Sequence, residues 1–584
     1  MSARSRAAGR ALSVAVVAVL VLLAGCARIP DSGHVRQVEP VAATEGEDSV
    51  IEQPDVLLLP PEPVPGLRPQ QVLRGFLLAS AASDADHAVA RQYLTPEAAA
   101  RWDDGAEAVV HDPAQLRVTC EGDPTGTCQG ADTLVVTGQR EAVLDRGGSY
   151  RPDPGPFEDR YGLARVDGEW RLSEVPDGVR LTPADVARAY RPVSLAFLDP
   201  TGDLVVPDRV FLPVVSRSLP RLLVDALLTG PSARLAPAVT TAFPQGTRLR
   251  RVTLEGGVVL VDLSPQVLRA DDDARRALSA QLVTTLRQVP DVTGLRVLVE
   301  GEPLEVPGAP ATQPMDSWSA YDRDLVPAGV PGYHVMAGAV RPLPRPGAPP
   351  REPLAVGLRH PAVDLEEERV AGLRPDGAAV QLWTGAPSGL VPRLRAPDLV
   401  PPSFGGGRYG VWTARPGPDP EVLLVRALGD PVTVPAPELA GLGPLRVLRV
   451  SRDDTRVALV VGEGVETRLY AGLVVPDRST PAGVRLAGLR RLAPGLSDVQ
   501  DVRWADNQRV AVLARSAAAP AVWLVQSDGS VVEPQAASGL PEAPTGIATA
   551  PGHPLLLESA GQVWEVRDGA AVAAAPGEDP FYPG

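Results

Sequence analysis

Proline stands at 64 and glycine at 56 of the 584 positions, together about a fifth of the chain. Proline cannot continue a helix and is confined to the edges and ends of strands. Long bundles and coiled coils are therefore excluded, and short elements separated by many turns are expected. The length predicts about three to five domains of roughly 100–200 residues each. All 56 basic residues are arginine, because the chain contains no lysine. That removes the phosphate-loop lysine, the kinase strand lysine and Schiff-base chemistry. A formal charge of −15 at pH 7 also argues against nucleic acid as a partner, since phosphate binding needs clustered positive charge.

Arg4, Arg6 and Arg10 precede an apolar run from Ala11 to Ala24, followed by Gly25 and Cys26. A charged start, a short apolar stretch and small residues form a signal peptide over 1–25, and the run is too short to favour a membrane span. Leu23-Ala-Gly-Cys26 resembles the lipobox of bacterial lipoproteins, which implies acylation of Cys26 and a chain anchored to the extracytoplasmic face of the cell membrane. Residues 26–68 are proline-rich and acidic and read as a tether. The two remaining cysteines, Cys120 and Cys128, flank a segment with turn signals. They are expected to form a disulfide in an oxidising compartment, two free thiols being the other reading. A zinc site would be underliganded by this pair.

From 69 to 190 the pattern predicts helices, with Val72, Leu73, Phe76 and Leu77 on one face, followed by short strands. Asp167-Gly168 between Val166 and Trp170 marks a hairpin. This α+β domain is similar to nuclear-transport-factor-like (NTF2-like) folds. From 191 to 308 a strand at Val193–Leu198 ends in Asp199-Pro-Thr-Gly202, and a helix carrying Leu219, Leu223 and Leu227 stops at Gly230-Pro231. A helix starting at Asp271–Asp273 exposes one face and buries Leu278, Leu282 and Leu286. Four ordered blocks, Leu227–Pro231, Phe243–Thr247, Val259–Leu263 and Gln281–Leu286, resemble the α/β GerM domain (GerMN) of bacterial envelope and sporulation proteins.

After Thr312 helical periodicity disappears. Turn signals precede β-prone runs at Asp376, near Gly406, at Asp453, at Asp506 and near Gly552, with intervals of about 30, 47, 53 and 46. Blade repeats of propellers span about 40–50 residues. An all-β propeller over 313–584 is expected, with five to seven blades and six chosen. The stretches Tyr333–Gly338 and Val563–Gly569 are expected to be outer hairpins of the end blades, and the two chain ends to close the ring.

No chemistry-bearing motif assembles in the sequence. His34, His87, His111, His334, His360 and His553 are scattered, and no G-x-S-x-G elbow occurs. Asp271–Asp273 reads as a helix start, Glu366–Glu368 as a solvated loop, and the repeated turn aspartates as acceptors for their own backbone. No catalytic residue, cofactor or metal site is expected. Paired acids on the propeller face, acting on or binding a cell-wall polymer or sugar, are the competing reading.

The domain order, together with the opening Cys26-Ala-Arg-Ile-Pro-Asp-Ser-Gly33, resembles the actinobacterial LpqB lipoprotein family along essentially the whole chain. The resemblance implies a non-enzymatic accessory of a two-component system of the MtrA/MtrB type. Its partner would be the extracytoplasmic region of the sensor kinase, and its setting cell-wall homeostasis and division.

Overall fold

The computed structural model describes residues 60–82, 87–122, 128, 131–214, 218–344, 351–516 and 520–584. Among them no helix is long and apolar enough to cross a membrane. Cys26, the signal peptide and most of the tether lie outside the described residues.

Three short helices open the first domain: α1 (Pro69–Ser80), α2 (Ala88–Arg91) and α3 (Pro96–Arg101). Proline begins α1 and α3, where its missing N–H costs nothing, and the Thr95 hydroxyl caps α3 by accepting from Ala98 N. The helices pack on a sheet of β1 (Glu107–His111), β2 (Arg117–Cys120), β3 (Thr133–Asp145), β4 (Tyr150–Val166), β5 (Glu169–Glu174) and β6 (Val179–Leu181). Its order is β5-β4-β3-β1-β6, with β2 on β3 and β6 parallel to β1. Phe76 meets Trp102 and Tyr161 edge-on in the core, with ring centroids at 5.1 and 6.3 Å. Asp167 and Gly168 take φ of 52° and 84°, the paired left-handed geometry of a tight hairpin.

The second domain begins with a hairpin of β7 (Tyr190–Leu198) and β8 (Val205–Pro213), preceded by α4 (Pro183–Ala189). The sequence showed the first of these strands and its turn, but not β8. Helix α5 (Leu219–Thr229) ends at Gly230, whose φ of 108° suits only glycine. The strands β9 (Leu249–Glu255), β10 (Val258–Leu263), β11 (Gly294–Val299) and β12 (Glu302–Pro303) form a sheet in the order β12-β11-β10-β9, with β10 and β11 parallel across α6 (Asp272–Leu286). Asp271 caps α6 by accepting from Ala274 N at 2.9 Å, the helix-start role expected of that triplet. Leu278, Leu282 and Leu286 bury against Val259, Val261 and Val297. Gln281 and Thr285 are fully buried because each is used. Gln281 Nε2 donates to Ala196 O at 2.8 Å, its Oε1 accepts from Ala242 N, and Thr285 Oγ1 accepts from Ala196 N. Gln313–Pro314 still pairs with β11, so the central sheet reaches past residue 308.

Residues 333–581 form six antiparallel sheets. Blades 2, 4, 5 and 6 run in simple order, opening with Arg359–Val363, Leu445–Val450, Ser497–Trp504 and Gly546–Ala548. Blade 3 has a short first strand around Ser403, bridged to Trp412. In blade 1 the first position is filled from the other end of the chain, because Glu578–Phe581 pairs with Tyr333–Met336. The six first strands meet around a narrow axis lined by Ala362, Ser403, Arg449, Arg503, Thr549 and Tyr582, one from each blade.

Two expectations are corrected. Tyr333–Met336 is not an outer strand: it lies second from the axis, and the closing strand covers its inner edge. Val563–Gly569, by contrast, does belong to the outer hairpin of blade 6, formed by its third and fourth strands, Gln562–Arg567 and Ala570–Pro576. The turn at Asp376 joins the second and third strands of blade 2, whereas the others join first to second. The equivalent turn is Asp364–Glu368, where Asp364 accepts from the backbone N–H groups of Glu368 and Arg369. With that phase the 30-residue step becomes about 40, so no blade is reduced in spacing.

Candidate functional site

The turns between first and second strands share one face of the propeller, and the second domain with its linker docks there. From blade 2, Glu366 pairs with Arg323 of the linker at 3.1 Å. From blade 3, Arg408 pairs with Asp199, which is fully buried and also accepts from Thr201 N at 2.9 Å and Leu204 N at 2.6 Å. From blade 4, Arg456 donates to the Pro207 carbonyl while holding Asp453 at 3.0 Å. In blade 5, Gln508 meets Ser194 at 3.0 Å, and the Ser527 carbonyl accepts from Arg234 at 3.2 Å. Val206, Leu235 and Ala238 add an apolar contact with Leu473 and Val475.

Carboxylates gather at this junction. Asp324 accepts from Asn507 N with both oxygens at 3.1 Å. Burial, and then the charge of Asp506, push its carboxyl up to about 7. Asp454 is likewise pushed up to about 7 by burial, although it accepts from Gly406 N and Arg408 N. Raised carboxyls in an open cleft are candidates for acid catalysis. Asp324 and Asp454 are instead used as acceptors at the junction, and the aspartates beside them are engaged as well: Asp453 takes Ser451, Thr455 and Arg456, and Asp506 takes Gln508 N and Arg509. Asp453 and Asp454 are 0% and 2% exposed. Asp199, Asp324 and Glu366 bridge the propeller to the central domain or its linker, while Asp453 and Asp506 brace their own turns.

The first domain joins the same body. Phe211 N of β8 donates to the Gly148 carbonyl at 2.8 Å, and Tyr150 packs on the Phe211 ring with centroids 5.7 Å apart. Between these two domains lies a cavity of about 580 Å3, within the size range of small-molecule sites. Leu144, Val210 and Leu212 give it an apolar floor, with Asp104, Glu107 and Arg146 around them. Asp104 is held by Arg91 at 2.9 Å. Burial, then the nearby Asp104 charge, raises the hydroxyl pKa of Tyr190 in the wall.

Cys120 and Cys128 form a disulfide with Cα atoms 5.3 Å apart. Gln70 of α1 donates to Cys128 Sγ at 2.9 Å, so the bridge sits against the opening helix. The described histidines remain apart: His360 pairs with Asp579 at 2.9 Å near the propeller axis, and burial lowers the pKa of His334. Among the described residues no group of three or more His, Cys, Asp or Glu is arranged to hold a metal. The sequence singled out Asp453 and Asp506 as turn residues, but gave no sign of the axial arginines Arg449, Arg452 and Arg503. The signal that could have found them is the equivalent place of Arg449 and Arg503 one residue before the end of the first strands of blades 4 and 5, with Arg452 in the turn after the former.

Three family models match in chain order: Lipoprotein LpqB, N-terminal domain, over residues 62–187; Sporulation and spore germination over 194–305; and Lipoprotein LpqB beta-propeller domain over 333–583. Lipoprotein LpqB of Thermobifida fusca (strain YX) is 31% identical, with 98% of this chain and 99% of that one covered. The chain belongs to the LpqB lipoprotein family. Lipoprotein LpqB of Streptomyces coelicolor is 30% identical over 93% of this chain and 91% of its own. Among solved structures, TolB from Acinetobacter baumannii is 13% identical with a TM-score of 0.33, covering 45% of this chain and 69% of that one. The tandem GerMN domains of GerM from Bacillus subtilis are 18% identical with a TM-score of 0.20, covering 26% and 58%.

Proposed function

We propose that this LpqB-family chain is a lipid-anchored envelope protein that acts by binding, as a non-enzymatic accessory of a two-component sensor kinase of the MtrA/MtrB type in cell-wall homeostasis and division. The observation that carries the reading is the interlocking of three domains, with the acid-rich propeller face covered by the central domain. Such a body offers broad, fixed surfaces, while the carboxylates a hydrolase would need are committed to joints and turns. The N-terminal Cys26 and its acidic tether supply attachment, with strength coming from acyl chains at about 0.8 kcal/mol per buried methylene.

The test is affinity capture from detergent-solubilised membranes with the full-length lipoprotein as bait and an unrelated lipoprotein as control. Selective enrichment of a sensor histidine kinase is expected. Recovery of wall polymer with no kinase would instead support the polymer-binding reading. Cys26→Ser is expected to leave an unprocessed, unacylated precursor, visible by intact mass. A normally acylated product from that variant would remove the anchor.

A further inference from the structure

The propeller axis concentrates positive charge in a protein whose net charge is −15. Arg449 and Arg452 are only 8% and 4% exposed. Their Nη groups donate to main-chain oxygens alone: Arg449 to Pro401, Pro402 and Leu448, and Arg452 to Trp504 and Pro583. Neither guanidinium makes an ion pair with the described residues, and neither Nε has a protein acceptor. Near Arg449, Asp501 is engaged by Arg503 at 3.2 Å and Asp579 by His360 at 2.9 Å; near Arg452, Asp506 is engaged by Arg509 at 2.6 Å, and Asp324 accepts from Asn507 N. Burial draws Arg449 down to about 9 and Arg452 to about 10, which still leaves both charged at neutral pH. These carboxylates act on the two arginines only from a distance, and a buried charge with no counter-charge in direct contact is unfavourable.

These groups line one cavity of about 40 Å3. A single water needs roughly 10–15 Å3 by this measure, so the space exceeds one water and is too small for a sugar or a peptide. Ser403, Thr549 and Trp504 line the same wall, where the Ser403 hydroxyl accepts from Val450 N and the Trp504 indole donates to the Arg449 carbonyl. At the starts of the inner strands a second cavity of about 280 Å3 carries Arg359, His360 and Arg446 against one carboxylate, Asp398. That basic hollow lies on the side away from the covered acidic face.

We propose that the propeller axis is a binding site for one small inorganic anion, of chloride to phosphate size, held by Arg449 and Arg452 with Arg503 beside them. Residues from all six blades line the cavity, including the closing strand's Tyr582. Occupancy therefore ties ring closure to anion concentration, through the linkage by which any ligand of the folded state stabilises it.

The test uses the full-length detergent-solubilised lipoprotein, dialysed into gluconate and titrated at constant ionic strength with chloride or phosphate. Melting temperature and tryptophan emission, to which Trp504 contributes, are followed. Both should respond saturably to at least one of the two anions, and the better anion identifies the natural size class. Arg449→Met should weaken the apparent affinity roughly tenfold or more, as expected for a lost charge-assisted bond. Should that variant not fold, Arg503→Gln supplies the same comparison. Crystals grown in bromide should show an anomalous peak against Arg449 and Arg452. Equal melting in gluconate, chloride and phosphate, an undiminished response in the variants, or bromide only on the outer surface would each overturn the assignment.

Discussion

Asp199 shows how one side chain can be read correctly and still withhold its main role. Its place before Pro-Thr-Gly marks it as a turn residue, and it does accept from Thr201 N and Leu204 N. Nothing nearby in sequence points to Arg408, 209 residues away, which completes the buried pair. Removing one member of such a pair strands the other: Asp199→Ala is expected to cost about 3–5 kcal/mol in urea denaturation. Arg408→Met, which leaves in place the bonds that Asp199 accepts from Thr201 N, the Thr201 hydroxyl and Leu204 N, should cost less. Equal costs would mean that the joint, and not the local turn, carries the energy. The disulfide was legible from the spacing of Cys120 and Cys128 and the turn signals between them, and reducing it should cost roughly 2–3 kcal/mol for so short a loop. Arg449 and Arg452 were not legible, because an arginine before a turn looks the same in sequence whether it faces water or an axis.

At the level of elements, patterns local in sequence came through, and of the distant pairings only the closure of the ring by the two chain ends was expected. The apolar faces of α1 and α6, the Asp167-Gly168 hairpin and the glycine stop of α5 each follow from a few adjacent residues. The closing strand does not. Glu578–Phe581 is short and holds Pro580, and it becomes a strand only because Tyr333–Met336 offers an open edge. The phase error at Asp376 has the same origin, since Asp-Gly marks a turn but not which pair of strands it joins. The turn that holds the repeat is Asp364–Glu368, whose acids suggest a solvated loop although Asp364 is 2% exposed. Phe581 stacks on Tyr333 with centroids 5.4 Å apart and planes at 17°. Phe581→Ala is therefore expected to cost about 3–5 kcal/mol, through the cavity and the loosened ring together. The check is hydrogen exchange: blade 1 amides should lose protection before those of α6, and uniform loss would refute a local opening.

Across the whole molecule the joints make stability depend on pH in a direction opposite to that of ordinary acid denaturation. A carboxyl near 7 in the folded protein and near 3.8 when unfolded binds its proton more tightly when folded. Its stabilising contribution is complete below the unfolded value and is lost as pH rises through the folded one. Asp324 joins the linker to blade 5, and Asp454 lies under blade 3; between about pH 4 and pH 7 only the unfolded chain ionises them, and above about pH 7 charge appears at the joint as well. A shift of this size corresponds to up to about 4 kcal/mol for each group. Asp199 runs the other way: burial opposes its charge, but the Thr201, Arg408 and Leu204 bonds hold its carboxyl below the usual range, so its contribution is lost only in stronger acid. Wild-type protein should therefore melt lower at pH 8 than at pH 5.5. Asp324→Asn keeps an oxygen for Asn507 N and cannot ionise, so it should melt close to wild type at pH 5.5 and above it at pH 8. A variant that tracks wild type across that range would mean that Asp324 does not hold its proton at the joint.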